Sequence, residues 1–132
     1  MEVKIDKALL DSLTAQAKES PRLRMNYDLR NSSDDTSQRM LNAIEPGSIV
    51  PIHRHRDTSE TVVVLRGSIV EEFYNDAGEI ETVYEVSAGS DFCAFNVPAG
   101  KWHTLRSAES GTVILEVKDG IYQPILECDI LE

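Results

Sequence analysis

The sequence predicts one mainly-β domain, an antiparallel sandwich or barrel that follows a single N-terminal helix and an arm. The chain has 132 residues and a mass of 14.7 kDa, the size of one ordinary domain. From residue 38 onward, short strand-like runs alternate with turn residues. Only one segment, near the N-terminus, carries a helical repeat of apolar residues. Successive short strands without intervening helices favour an antiparallel arrangement over βαβ units.

The first element is a helix from Asp6 to Ser20. Its apolar stripe consists of Leu9, Leu10, Leu13 and Ala17. Asp6 is a good N-cap residue, because its carboxylate can accept a hydrogen bond from the first turn. Pro21 ends the helix, since proline cannot continue it.

The rest of the chain divides into an arm and a barrel. Residues 22–37 show no clear period and contain a polar cluster, so we interpret them as a loop or arm. Residues 1–37 then form a helix and arm packed on a barrel of residues 38–132. The predicted strands are 38–45, 49–53, 60–66, 68–74, 79–86, 91–96, 102–107 and 112–118. Segment 121–131 is expected as one more strand across the outside of the barrel.

Composition argues against several classes of function. Thirteen Lys and Arg residues against 23 Asp and Glu residues give a net charge of −10, which repels the phosphate backbone of nucleic acids. The longest apolar run, Val62 to Leu65, is far too short to span a bilayer, so no membrane is expected as a partner. The N-terminus lacks the pattern of a secretory signal. Two cysteines without a CxxC pair indicate reduced thiols and a cytoplasmic protein.

The three histidines provide the main functional clue. His53 and His55 are two residues apart, so on an extended strand both side chains leave the same face. Glu60 follows at the start of the next predicted strand, and His103 comes directly after a tight turn. Three imidazoles and a carboxylate form a ligand set suited to Fe(II), Mn(II), Ni(II), Co(II) or Zn(II). The alternative is that the histidines are scattered surface residues.

The first stretch that contains these residues resembles a known motif. Residues 47–67, GSIVPIHRHRDTSETVVVLRG, resemble the first cupin motif at every fixed position, namely Gly47, His53, His55, Glu60 and Gly67. The second cupin motif is matched by Pro98, Gly100 and His103. It departs at Gly89, which stands nine residues before Pro98, and at Ser107, which replaces the closing asparagine.

The cupin resemblance implies both a fold and a metal. The fold is a single cupin barrel, also described as a double-stranded β-helix or jelly roll. The implied cofactor is one divalent transition metal ion per chain, Fe, Zn, Mn or Ni, held by His53, His55, Glu60 and His103. In an octahedral ion these four ligands leave two positions for water, substrate or dioxygen. Cupins commonly pair, so a homodimer is expected.

A closer resemblance lies outside the two motifs. The runs SPRLRMNYDLR (20–30) and SQRMLNAIEPGSIVPIHRH (37–55) are similar to the WbuC-like cupin metalloproteins. These are small bacterial proteins with a helical N-terminal arm, associated with surface-polysaccharide gene clusters. The resemblance implies a fold and a metal together with a hint of sugar chemistry.

Polar residues of the arm are candidates for ligand binding. Arg24, Asn26 and Arg39 could fold across the barrel mouth and bind an anionic or sugar-related small molecule through paired N–H donors. Alternatively, the arginines pair with surface carboxylates. Tyr27 either reaches the metal pocket or packs the arm on the barrel, and packing is the favoured interpretation.

Alternation along the strands gives further expectations. If Glu60 points into the barrel, Val62, Val64 and Arg66 share its face. The Glu71-Glu72 pair is interpreted as a solvated hairpin flank, and Cys93 as a small buried hydrophobe. Trp102 should face away from the pocket, into a subunit interface or the outer helix.

Three functions are compatible with these observations. The first is a metal-dependent enzyme that isomerises or epimerises a sugar derivative, or oxidises a small organic acid. The second is a non-catalytic module that binds or senses a small molecule with the help of the metal. The third is a structural barrel without a metal, against which the four intact ligand positions argue.

Overall fold

The computed structural model describes residues 2–131, and it confirms the predicted N-terminal helix. Helix α1 spans Lys7–Glu19, and the carboxylate of Asp6 accepts a 3.1 Å hydrogen bond from the backbone N–H of Leu9. This N-cap satisfies one of the free N–H groups of the first turn. The side of α1 that faces the sheet buries Leu10, Leu13, Thr14 and Ala17. Within residues 2–131, no helix has the length and apolar character required to cross a membrane.

The strands are arranged in two sheets. The first half of the chain contributes β1 (Arg24–Asp28), β2 (Ser37–Ile44), β3 (Ile52–His53), β4 (Glu60–Arg66) and β5 (Ser68–Tyr74). The second half contributes β6 (Ile80–Ser87), β7 (Ala94–Val97), β8 (Trp102–Ser107), β9 (Val113–Asp119) and β10 (Ile130–Leu131). One five-stranded sheet has the order β1-β2-β9-β4-β7 and the other has the order β10-β3-β8-β5-β6. Neighbouring strands are antiparallel, as predicted.

Two apolar clusters hold these layers together. The larger lies between the sheets and consists of Ile44, Val62, Val64, Ile69, Phe73, Val86, Phe95, Val97, Leu105 and Ile114. The smaller lies between α1 and the outer face of the first sheet and consists of Leu10, Leu13, Ala17, Leu41, Ala43 and Val113. Because side chains alternate along a strand, β2 supplies Ile44 to one cluster and Leu41 and Ala43 to the other.

The arm is more ordered than the sequence indicated. Residues 24–28, interpreted above as part of a loop, form β1, which pairs with β2 at the edge of the first sheet. Polar residues alternate with Met25 and Tyr27 along this strand. Its apolar residues pack with the helical cluster, while its polar side faces the barrel mouth, so the segment does not have the composition of an ordinary core strand.

Arg66 differs from the alternation expected for β4. The pairing of β4 with β9 shifts in register between Val64 and Arg66, and the Arg66 guanidinium binds the helix rather than sharing the inner face of Glu60. It donates to the Asp11 carboxylate at 2.6 Å and to the Thr14 hydroxyl at 3.0 Å. A bulge of this kind turns a side chain away from the face that strict alternation predicts.

Three other expectations are corrected. Cys93 is exposed rather than buried. Trp102 packs within its own chain: its indole N–H donates to Asp76 at 3.1 Å, and the Arg54 guanidinium lies 4.3 Å from its ring centroid. Segment 121–131 is a strand only at β10, which pairs with β3 after a short 3-10 turn over Glu127–Asp129. The Arg54 guanidinium makes a cation–π contact with this buried ring.

Candidate metal centre

The three histidines converge between the two sheets. His53 on β3 stands directly opposite His103 on β8, and His55 follows two residues after His53. One ring nitrogen from each histidine can be chosen so that all three lie within 4.8 Å of one another. The fold therefore brings together nitrogen ligands that the sequence separates by about 50 residues, and the alternative of scattered surface histidines is wrong.

Burial favours the uncharged form of these three histidines, which is the form that binds a metal ion. Burial lowers the pKa of His53 and of His103 to about 4 and that of His55 to about 3. All three imidazoles are therefore uncharged near neutral pH, as metal ligation requires. The Nδ1 atom of His53 donates to the carbonyl of Pro51 at 2.8 Å, which leaves the lone pair of this ring on Nε2.

A carboxylate adjoins the triad. Glu60, the first residue of β4, is buried, and its oxygens lie 3.6 Å from Nε2 of His103 and 3.7 Å from Nε2 of His55. It lies outside the mutually close set, which contains histidines alone. Burial, with a smaller contribution from the charge of Glu116, raises the pKa of Glu60 to about 8. A cation at this point would favour the ionised carboxylate over the protonated one.

Glu71 is the functional residue that sequence reasoning misplaced. It is not a solvated flank but fully buried, and its carboxyl group lies 2.5 Å from Nδ1 of His103. Burial raises the pKa of Glu71 to about 9. Glu71 is therefore protonated near neutral pH in the metal-free protein. A cation on the histidines would favour its ionised form, and a carboxylate at Nδ1 of His103 fixes the orientation of the ring and leaves the lone pair on Nε2. Alternation with Ile69 and Phe73, both buried in the core, was the signal that could have placed Glu71 inside.

The residues present fit a divalent transition metal ion. Nε2 of His103 is buried and has no hydrogen-bond partner among the described residues, although buried polar atoms are nearly always satisfied. The neutral imidazoles and the adjoining carboxylate of Glu60 are donor types that such an ion prefers, and the carboxyl group of Glu71 supports the His103 imidazole.

The three histidines line a cavity of about 420 Å³. Of the four residues predicted to bind a ligand, Arg24, Asn26 and Arg39 line this cavity. Tyr27 lies on the opposite face of β1 and packs with the helical cluster, in agreement with the favoured interpretation of that residue. The Arg39 guanidinium also forms hydrogen bonds within the arm, where it donates to the carbonyl groups of Ser37 and Leu29.

Several polar residues of the cavity wall were missed from the sequence, three of which lie on the neighbouring strands β2 and β9. Asn42 on β2 and Glu116 and Lys118 on β9 all line the cavity. Burial raises the pKa of the Glu116 carboxyl group, and Nζ of Lys118 lies 3.4 Å from Nδ1 of His55. Alternation from Ile114, a core residue, places Glu116 and Lys118 on the inner face, so strand parity was the available signal.

Comparison with known proteins identifies a sequence family. Residues 5–86 match the family described as "Domain of unknown function (DUF6016)". A comparison with curated proteins found no match.

Solved structures resemble this fold. Capsular polysaccharide assembling protein CapF from Staphylococcus aureus matches with a TM-score of 0.67 at 21% identity, over 85% of this chain and 32% of CapF. KdgF from Halomonas sp. matches with a TM-score of 0.58 at 17% identity, over 76% of this chain and 82% of KdgF. Oxalate decarboxylase from Bacillus subtilis matches with a TM-score of 0.59 at 20% identity, over 83% of this chain and 27% of that enzyme.

These similarities establish the fold. The matched structures are cupin-fold proteins, and the two sheets with an N-terminal helix form a single cupin barrel. The chain spans about a third of the length of CapF. The oxalate decarboxylase has Mn(II) centres, and this chain has a histidine triad that could hold a metal ion.

Proposed function

The chain belongs to the family described as "Domain of unknown function (DUF6016)", and we propose that it is a metalloprotein that binds one divalent transition metal ion through His53, His55, Glu60 and His103. The observation that carries this proposal is the set of three neutral imidazoles around an unpartnered, buried Nε2 atom of His103. A cavity of about 420 Å³ opens beside them, which is the size of a small-molecule site.

The proposed activity is that of a metal-dependent enzyme acting on a small sugar-related or carboxylate substrate. When bound, the ion would supply Lewis-acid chemistry at a carbonyl or hydroxyl oxygen. In this proposal Glu60 is a ligand of the ion, so it is not free to act as a base. Glu116 is a second carboxyl group of the cavity, and it is the group that would hold or move a proton, as isomerisation or epimerisation requires. This spare carboxyl group favours an enzyme over a module that only binds or senses its ligand.

Surface-polysaccharide metabolism is the proposed setting. The resemblance to the WbuC-like cupins supports it, and so does the fold shared with CapF, a capsular polysaccharide assembling protein. The proposal includes a homodimer in the cytoplasm. Light scattering during gel filtration tests the dimer, for which the expected mass is twice 14.7 kDa.

The first experiment measures metal content. Purified protein is loaded in turn with Fe(II), Mn(II), Ni(II), Co(II) and Zn(II), desalted, and analysed for bound elements, beside the variants His55→Ala and Asp57→Ala. We expect one ion per chain in the wild type and in Asp57→Ala, which changes an exposed position two residues away, and loss of the ion in His55→Ala. A wild-type protein that takes up none of the five ions would refute the proposal.

A second experiment separates the enzyme from the binding module. The metal-loaded protein is incubated with a panel of sugar derivatives and small organic acids, and both product formation and thermal shift are measured. An enzyme converts a substrate only when loaded, and the conversion is reduced in Glu116→Gln. A thermal shift without conversion across the panel would instead favour the binding module.

A further inference from the structure

The cavity wall formed by β1, β2 and β9 carries polar side chains. Arg24 on β1 stands opposite Ile44 of β2, and Asn42 lies two residues before Ile44 on the same face. On β9, Lys118 stands opposite Glu60 of β4. Arg24, Asn42 and Lys118 therefore project into the cavity that the histidines also line, and Nζ of Lys118 lies 3.4 Å from Nδ1 of His55.

Two atoms of this wall lack hydrogen-bond partners. Nε of Arg24, a donor, and Oδ1 of Asn42, an acceptor, are both buried and unpartnered among residues 2–131. Buried polar atoms are normally satisfied by protein, water or ligand. A ligand that satisfies both must present an acceptor and a donor.

The charged side chains that line the cavity indicate the chemical class of the acceptor that Arg24 requires. Four cationic side chains line it, and two are already paired: Arg30 with Asp28 at 2.8 Å and Arg39 with Asp35 at 3.4 Å. Within the described residues, the other two, Arg24 and Lys118, have no carboxylate oxygen within 4 Å. Unpaired guanidinium and ammonium groups in a partly buried wall favour an anionic ligand group.

The wall also limits the charge of that ligand. Glu60 and Glu116 share the cavity with the two unpaired cations. Ionisation of either carboxyl group would repel a second negative charge on the ligand, so a singly charged carboxylate is better accommodated there than a phosphate dianion. A carboxylate satisfies Arg24, whereas Oδ1 of Asn42 requires a donor, which a neighbouring hydroxyl group supplies.

We propose that Arg24, Lys118 and Asn42 form a subsite for a hydroxylated carboxylic acid of sugar-acid size, with its carboxylate on the two cations and a hydroxyl group donating to Asn42. The inference rests on the proposed function only in that the proposed metal would bind to the histidines of the same cavity, beside Lys118. A six-carbon sugar acid is small enough for a cavity of about 420 Å³.

Three matched probes test the chemistry by calorimetry on the full chain. Gluconate carries both groups, sorbitol carries hydroxyl groups without charge, and hexanoate carries the charge without hydroxyl groups. We expect gluconate to bind at least tenfold more tightly than either of the other two probes, with zinc-loaded protein and with chelator-treated protein alike. The subsite proposal is overturned if gluconate binds no more tightly than sorbitol, or no more tightly than hexanoate.

Variants assign the two recognition elements. Arg24→Gln should abolish the preference for gluconate over sorbitol, and Asn42→Leu should abolish the preference for gluconate over hexanoate. The matched control is Arg22→Gln, which removes the same charge at an exposed position outside the cavity and should keep both preferences. If Arg24→Gln does not fold, Asn42→Leu alone decides, because unchanged hexanoate discrimination in that variant would refute the role of Asn42.

The design separates failure of the subsite from failure of the metal proposal. Metal content is measured on the same samples. Protein that takes up no metal yet prefers gluconate refutes the metal centre and supports the subsite. Protein that takes up one ion per chain yet binds the three probes equally refutes the subsite and leaves the metal centre intact.

Discussion

At the scale of single residues, the contact between His103 and Glu71 explains how this barrel orients the side chain of a candidate metal ligand. The two side chains are 2% and 0% exposed, and 32 positions of sequence separate them. A carboxyl group at Nδ1 directs the other nitrogen of the ring toward Glu60 and the remaining histidines. The buried and unpartnered Nε2 of His103 is thus held in place before any ion arrives.

The first prediction concerns Glu71. Glu71→Gln keeps the size of the side chain but removes the ionisable oxygen, and an amide that donates to Nδ1 stabilises the tautomer with its proton on Nε2. We expect metal affinity to fall by about 10–100-fold, the usual effect of removing such a supporting carboxylate. Competition with a chromogenic chelator measures the affinity.

The control for this prediction lies next to it in sequence. Glu72 points to the opposite face of β5 and pairs with Arg106 at 2.6 Å. Glu72→Gln should therefore leave metal affinity unchanged. Equal affinities in the two variants would show that Glu71 does not support the metal centre.

At the scale of elements, the sheet brings two chain segments into close contact at Gly67, between β4 and β5. A Cβ atom at this position would lie 2.3 Å from Oγ1 and 2.8 Å from Cα of Thr112, and the backbone φ is +81°. This glycine also closes the first cupin motif. Its place in the motif therefore follows from two physical needs, a left-handed backbone and the absence of a side chain.

The second prediction uses a pair of glycines. Gly89→Ala adds a side chain at φ +69° with nothing within 4 Å, and it should cost about 1 kcal/mol from backbone strain alone. Gly67→Ala adds the clash with Thr112 and should cost about 1–3 kcal/mol more. Urea unfolding of both variants measures the difference. Equal losses of stability would mean that the contact with Thr112 relaxes without cost.

Elements also show where sequence patterns succeed and fail. Strands β4, β5 and β8 have the predicted bounds, because apolar alternation and turn residues are local signals. The pattern failed at β1, whose polar side lines the cavity, and beyond Gly120, where segment 121–126 has no regular structure. Residues that serve a binding site depart from the pattern of a core strand, so such departures concentrate at the cavity.

At the scale of the whole molecule, the buried acidic groups should make the stability of the metal-free protein depend on pH. In the folded state Glu60 and Glu71 have pKa values of about 8 and about 9, against an ordinary value of 4.5. Between those limits the folded state keeps protons that the unfolded state releases, so stability falls as pH rises. Below pH 6.5 the three histidines oppose this trend, since their lowered pKa values make the folded state bind fewer protons.

The third prediction follows from that sign. Between pH 6.5 and pH 8, the free energy of unfolding of chelator-treated protein should fall by about 2 kcal/mol or more, given about 1.4 kcal/mol per pH unit for each fully shifted group. Metal-loaded protein should show a much smaller fall, because a bound cation favours both carboxylates in their ionised form. Urea titrations at the two pH values measure this, and metal-free protein that is equally stable at both would contradict the prediction.

The sequence by itself determined the helix, most of the strands and the candidate ligands His53, His55, Glu60 and His103, because periodicity, turn chemistry and motif spacing are local properties of the chain. Only the tertiary structure decided what stands across from each inward-facing side chain. Alternation puts Glu71 and Lys118 inside, but it does not reveal that one meets His103 and the other His55. Strand pairing between distant segments creates those contacts, and with them the electrostatics of the cavity.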